Sequence, residues 1–122
     1  EGKILMDEEL MKLVTENLIE NVKKFSQGHP HLEVRTFTKN HKPKHWKIEF
    51  QDQGWGFDPN VSKKIFDRFY RAQRNAPYAI SGTGLGLYLA KQASKQMKIK
   101  LTASSKGKGK GATFTLEGRW HA

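Results

Sequence analysis

From Asp7 to Phe25 the apolar residues Leu10, Leu13, Val14, Leu18, Val22 and Phe25 return at helical spacing. The stretch reads as one amphipathic helix of about five turns. Asp7 is placed to cap it, Glu8 and Glu9 suit the positive end of its dipole, and Gln27-Gly28-His29-Pro30 ends it. A helix this long with one apolar stripe must lay that stripe on something, and the rest of the chain supplies sheet. Residues 31–38 and 45–52 read as strands joined by the turn Lys39-Asn40-His41-Lys42-Pro43-Lys44. A Gly-rich loop at 53–61 leads to a short helix from Ser62 to about Arg71, and residues 72–84 are loop. A second helix runs from about Gly84 to Met97, and strands at 98–104 and 112–117 flank a Lys- and Gly-rich connection. Helices and hairpins interleave without a strict strand–helix–strand rhythm. The expected architecture is a two-layer α/β sandwich, helices packed on one face of a mixed β-sheet, in one domain spanning residues 1–122.

Composition narrows the chemistry. The chain has no Cys, which excludes disulfides, thiolate catalysis and Cys-ligated metals. No apolar run approaches the roughly 18 residues of a membrane span, and the start carries no signal-peptide pattern. The net charge of +10 is unevenly spread. Residues 1–20 hold six of the twelve acids, residues 91–110 hold seven Lys and no acid, and residues 39–47 hold four Lys and two His. Two basic patches therefore carry the excess, and they point to an anionic partner.

Polar residues interrupt the folding pattern in three places. On the first helix Asn17, Asn21 and Lys24 share the face of Leu10, Val14 and Phe25, where a folding sequence would place Leu or Ile. In the strand 45–52, Asp52 follows Trp46, Ile48 and Phe50 onto the inward face and runs into Gln53-Gly54-Trp55-Gly56. A carboxylate there selects a ligand group that donates, although Asp before Gly is also an ordinary turn start. Finally, Ser81-Gly82-Thr83-Gly84-Leu85-Gly86-Leu87 opens the second helix with small residues, and so presents free N–H groups and a positive dipole end suited to phosphate. It is neither a Walker A loop nor GxGxxG, because position 87 is Leu.

Taken in order, these features resemble one family over most of the chain, from about residue 4 to 117. Residues 16–26 are similar to the N box of the catalytic ATP-binding domain of sensor histidine kinases, in the superfamily that also holds gyrase-, Hsp90- and MutL-type ATPases. Asp52-Gln53-Gly54-Trp55-Gly56 resembles the G1 box, Ile65-Phe66-Asp67-Arg68-Phe69-Tyr70-Arg71 the F box, and Gly82-Thr83-Gly84-Leu85-Gly86-Leu87 the G2 box. Gly109-Lys110-Gly111-Ala112-Thr113-Phe114 resembles the closing strand.

The resemblance implies roles. Asn21 would hold Mg²⁺ against the triphosphate of ATP, with Lys24 on the phosphates, so that these two residues carry catalysis. Asn17 would stand beside them, and Phe25 would lie against the adenine. Asp52 would accept from the adenine amino group, supported by Thr113, with Gly54 and Gly56 letting the backbone approach. Residues 57–84 would form a mobile lid, with Arg71 as a phosphate contact and Gly82, Thr83, Gly84, Leu85 and Gly86 around the phosphates. The implied reaction is transfer of the γ-phosphoryl group to a His on a separate helical-hairpin dimerisation and phosphoacceptor domain, with a response regulator further downstream. The isolated domain would then be a cytoplasmic monomer within a homodimeric parent, itself either soluble or membrane-anchored, and no nucleic acid would be expected. Two departures stand out. Asn17 occupies the place where the ATPase branch carries a Glu general base, which favours transfer over hydrolysis. The stretch Lys98-Ile99-Lys100-Leu101 lacks the family's His-Gly-Gly. The alternatives within the superfamily are a Ser/Thr kinase and a clamp-type ATPase.

Overall fold

The computed structural model describes residues 7–26, 31–39, 44–70 and 85–119. Helix α1 spans Glu8–Phe25, and Asp7 caps it by accepting the Leu10 N–H at 3.0 Å. Its buried residues are Val14, Leu18 and Val22, one line at i, i+4 and i+8. Leu10, Leu13, Asn17, Asn21 and Lys24 flank that line half-buried, so the amides border the apolar stripe rather than occupying its centre.

Strands β1 (Leu32–Lys39) and β2 (His45–Asp52) pair antiparallel from Leu32 opposite Asp52 to Lys39 opposite His45. Helix α2 covers Gly86–Gln96, and strands β3 (Lys100–Ser104) and β4 (Thr113–Arg119) close the chain as a second antiparallel pair. The order across the sheet is β1–β2–β4–β3. Every pairing among the described strands is antiparallel, where the sequence reading expected a mixed sheet. The reason is the position of β4. Strands β2 and β3 run in the same direction on either side of α2, as in a strand–helix–strand unit, but β4 inserts between them and pairs antiparallel with both. The two-layer α/β arrangement itself is the expected one.

The core lies between the helices and the inward face of the sheet. Val14 and Leu18 of α1 and Ala90 and Ala93 of α2 meet Trp46, Phe50, Leu101, Phe114 and Leu116. Small residues on α2 let the two helices approach closely, and Ser94, fully buried, returns its hydroxyl to the Ala90 carbonyl at 2.8 Å. Strand β1 is exposed along nearly its whole length, so the helices cover the other three strands.

The segment after β2 departs most from expectation. In place of one helix starting at Ser62 there are two 3₁₀ turns, Pro59–Val61 and Lys64–Phe66, with Asp58 capping the first by accepting the Asn60 N–H. Pro59 explains the earlier start, since it is favoured in a first turn. Phe57, Ile65 and Phe66 are buried, and Phe66 packs edge-on against Phe114 with centroids 6.3 Å apart. Lys91 of α2 reaches across the Phe66 ring at 5.0 Å and donates to the Leu101 carbonyl. Arg68 likewise stacks on Tyr88 and donates to its hydroxyl at 3.0 Å. The first half of the expected lid, residues 57–70, is thus pinned to α2 and to the core. The second half, with Arg71, Gly82, Thr83 and Gly84, lies outside the described residues.

Candidate functional site

Three backbone contacts assemble one end of the molecule. The Phe25 carbonyl, at the C-terminus of α1, accepts the Trp55 N–H at 2.9 Å, so the loop after β2 caps the helix. A Cβ on Gly54 would strike that same carbonyl, which is why glycine stands there. The loop before β4 docks from the other side: Gly111 N–H donates to the Gly54 carbonyl at 3.0 Å and Gly109 N–H to that of Trp55. Gly56 and Gly111 both adopt positive φ, 70° and 74°, and a Cβ on either would strike backbone of the opposite loop. The hydroxyl of Ser105 joins the two, accepting from Phe57 N–H and Gly107 N–H, both at 3.2 Å, and facing the Gly111 carbonyl at 2.6 Å. The Lys-Gly run is therefore wedged against the Gly-rich loop.

Asp52 sits at the centre of this arrangement, 5% exposed. Its Oδ1 accepts from Gly54 N–H at 2.9 Å and from Ala112 N–H at 3.1 Å, and its own N–H donates to the Ala112 carbonyl. Asp52 makes the Asp-before-Gly turn with Oδ1, and Oδ2 accepts no hydrogen bond among the described residues. Burial pushes its carboxyl above the ordinary value, against the pull of the Gly54 and Ala112 N–H groups. Thr113 does not join it. The register places Thr113 opposite Gln51, whose side chain leaves the sheet on the face opposite to that of Asp52. The residue that reaches Asp52 is Ala112, through its backbone, a contact that no side-chain pattern announces.

Asn17, Asn21 and Phe25 follow one another at i, i+4 and i+8 along α1. Asn17 lies against the start of α2, where a Cβ on Gly86 would come within 2.8 Å of its Oδ1. Phe25 lies at the Gly54–Trp55 loop. Asn21 stands midway, about 6 Å of helix rise from each. The two amides differ in engagement. Asn17 Nδ2 donates to the Leu13 carbonyl at 2.8 Å, whereas the Asn21 side chain makes no hydrogen bond among the described residues. Glu16 and Glu20 are exposed, and Glu16 faces Lys12 at 3.9 Å. At the far end of the line α2 begins with Leu85 at the N-cap and no side-chain cap, so the N–H groups of its first turn have no acceptor within the helix. Lys24 is half-buried in the last turn of α1. Among the described residues no cluster of three His, Cys, Asp or Glu is placed to hold a metal, so any cation here would depend on amide and ligand oxygens.

The profile of a family described as "Histidine kinase-, DNA gyrase B-, and HSP90-like ATPase" matches residues 6–119. The chain is 36% identical over 87 residues to the sensor protein kinase WalK of Staphylococcus haemolyticus, covering 71% of this chain and 14% of that protein. The WalK of Staphylococcus aureus strain JH9 matches at 36% over 86 residues, again 14% of its length. The chain thus spans about a seventh of these relatives. Among solved structures, the mycobacterial sensor histidine kinase MprB superposes with a TM-score of 0.75 at 22% identity, over 98% of this chain and 76% of that one. Full-length ShkA in complex with AMPPNP superposes with a TM-score of 0.74 at 23% identity, over 100% of this chain and 24% of that one. At such identities these two likenesses speak for the fold.

Proposed function

Since the chain belongs to the histidine kinase-, DNA gyrase B- and HSP90-like ATPase family, we propose that it is the ATP-binding catalytic domain of a protein-histidine kinase. In this reading it binds Mg·ATP and presents the γ-phosphoryl group to a His on a separate helical-hairpin acceptor domain. The observation that supports the reading is the buried Asp52 carboxylate, which engages backbone donors with one oxygen, so that the other would be available to a ligand. An adenine amino group is a donor of the right kind, and a guanine would oppose a carbonyl to the carboxylate. From that point α1 leads past Asn21 to the start of α2, a base-to-phosphate direction. The Asn21 amide oxygen and the Lys24 ammonium would face the triphosphate, and the first-turn N–H groups of α2 would donate to its oxygens. Bound Mg²⁺ would neutralise charge on the β- and γ-phosphates. The protein's own share is positioning: Asp52, the one buried acid among the described residues, would hold the base, and Gly86 lets the start of α2 approach Asn17 of α1 closely.

Hydrolysis is the weaker reading. Asn17 is tied to the Leu13 carbonyl and is an amide, and Glu16 and Glu20 point to solvent, so no described side chain of α1 is set to activate water. The relatives of known name are sensor kinases, which favours His over Ser as acceptor. Calorimetry with a non-hydrolysable ATP analogue, with and without Mg²⁺ and against the GTP analogue, tests the site. Binding that needs adenine and tightens with Mg²⁺ is expected, and equal affinity for the two nucleotides would remove Asp52 from its role. Labelled ATP with the parent's acceptor domain then tests the reaction: acid-labile, base-stable label on the partner is expected, and acid-stable label would move the protein to the Ser/Thr kinases.

A further inference from the structure

Two basic runs, 39–47 and 91–110, stand out in the sequence; the Ser105–Lys110 part of the second packs on the Gly-rich loop, and Lys98 and Lys100 play no part in the nucleotide site. The fold brings described residues of each run to one end of the sheet. His45, from the first run, begins β2 and lies opposite Arg119 of β4, while Lys98 and Lys100, from the second, lead into β3 beside β4. Together they line a cavity of about 640 Å³, within the usual range of ligand sites. It lies at the His45 end of β2, seven residues and about 23 Å of strand from Asp52.

The cavity has a recessed apolar floor. Trp46 is 3% exposed and Ile99 6%, with Met97 half-buried beside them. Gly118 makes room for the indole, since a Cβ there would lie 3.0 Å from Trp46 Cζ2, and Trp46 Nε1 is satisfied by the Arg119 carbonyl at 3.2 Å. Lys98, Lys100 and Arg119 line the same cavity beside this floor. Among the described residues Lys98, Lys100 and Arg119 enter no ion pair; Glu117 is the single acid in the lining. The Lys100 charge is close enough to add to the lowering of the Lys91 ammonium that burial begins. Lys98 also adopts φ +59°, the left-handed region in which glycine is at ease and a side chain is strained. This is where the chain lacks the family's glycines. That left-handed turn ends α2, where Ile99 N–H returns to the Ser94 carbonyl; the like charges gathered around it repel one another, and a ligand of opposite sign would offset that repulsion.

We propose that this end of the sheet is a docking groove for an acidic segment of a partner protein, its carboxylates meeting Lys98, Lys100 and Arg119 while an apolar side chain enters against Trp46. A bare phosphate would leave the apolar floor unused. A nucleic-acid backbone needs a continuous track of cations, whereas here Glu117 interrupts a confined cluster. A peptide satisfies both features, because it alternates apolar and charged side chains and its N–H groups donate to Glu117.

The test is an amide-shift titration of the ¹⁵N-labelled domain with a short peptide alternating Glu and Leu. Inorganic phosphate, an oligothymidylate and the Gln-for-Glu peptide are titrated in parallel. Shifts grouped at His45, residues 97–100 and 117–119, seen with the acidic peptide and lost with its Gln counterpart, are expected. The combined variant Lys98→Glu, Lys100→Glu, Arg119→Glu should weaken the peptide by at least about tenfold while leaving binding of the ATP analogue intact. That second measurement reports folding and separates a failure here from a failure of the nucleotide site. If the variant does not fold, the wild-type shift map alone decides. Absent shifts in this region, or equal shifts with phosphate or oligothymidylate, would overturn the proposal.

Discussion

The two ends of β2 solve opposite problems. At Asp52 the chain buries an acid and surrounds it with backbone: two N–H groups on one oxygen, glycines at positive φ and loops that cap each other. At His45 it gathers cations around a cavity that a buried indole also lines. The difference teaches what each end can discriminate. A buried acceptor with fixed neighbours reads the hydrogen-bonding pattern of its ligand, because a mismatch leaves a desolvated group unpaired. A cluster of exposed cations reads charge, and salt weakens it.

The strongest way to break the comparison acts between the base and the phosphates. Asn21→Ala should reduce phosphoryl transfer by roughly 100-fold or more and erase the Mg²⁺ enhancement of ATP binding, with the far-UV spectrum unchanged. Normal transfer to a supplied acceptor domain would show that the free amide of Asn21 has no part in the site. Asn17→Ala should behave differently. Its amide is engaged with the Leu13 carbonyl and packed on Gly86, so Mg²⁺ should still enhance binding, and the main loss should be about 1 kcal/mol of stability.

Asp52→Asn comes next. The amide can keep the Gly54 and Ala112 bonds through its oxygen, but it turns an NH₂ toward the ligand's donor, so ATP should weaken by about 10- to 100-fold. The pH dependence sharpens the point. Burial raises the Asp52 pKa, so the folded apo domain holds that proton to higher pH than the unfolded chain does. Between the unfolded value and the raised folded value, apo stability falls as pH rises, and the loss then persists at neutrality. Asp52→Asn should therefore stabilise the apo domain at pH 7 in urea titrations while it weakens nucleotide. In the wild type, ATP affinity should drop as pH falls through the raised value, and the Asn variant should lose that step. A variant that is less stable than wild type at neutral pH would contradict the assigned cause.

Smaller effects follow for the backbone. Gly111→Ala places a side chain at φ +74° against the Asp52 carbonyl, and should cost roughly 2–3 kcal/mol, read as a lower urea midpoint. Lys98→Gly should do the reverse at the other end, adding about 1 kcal/mol by relieving the left-handed strain while weakening the Glu–Leu peptide. The Asp52 and Lys98 sites are distant, so the stability effects of Asp52→Asn and Lys98→Gly should add. Strong coupling between them would mean that the two ends are not independent.

Much of this was legible in the residues. Helix α1, its Asp7 cap, the inward position of Asp52 and the strand positions follow from local periodicity and capping chemistry, which neighbours only reinforce. The short helix expected at Ser62 was misjudged because Pro59 and the burial of Phe57 and Phe66 favour 3₁₀ turns pressed on α2. That pinning comes from Lys91 and Arg68, which are far from those turns along the chain or look like ordinary solvated charges. Thr113 was misplaced for a related reason: strand register decides which side of a sheet a residue takes, and a shift of one residue reverses it.

What the sequence by itself determined is therefore what short-range physics controls: which segments are helix or strand, which residues break an apolar face, and where glycine must stand. The tertiary structure alone decided what depends on pairings between distant segments. It put β4 between β2 and β3, brought the Ala112 N–H to Asp52, set Gly86 against Asn17, and gathered His45, Lys98, Lys100 and Arg119 around one cavity beside Trp46. Such contacts arise from burial and register across many residues, and no local pattern encodes them.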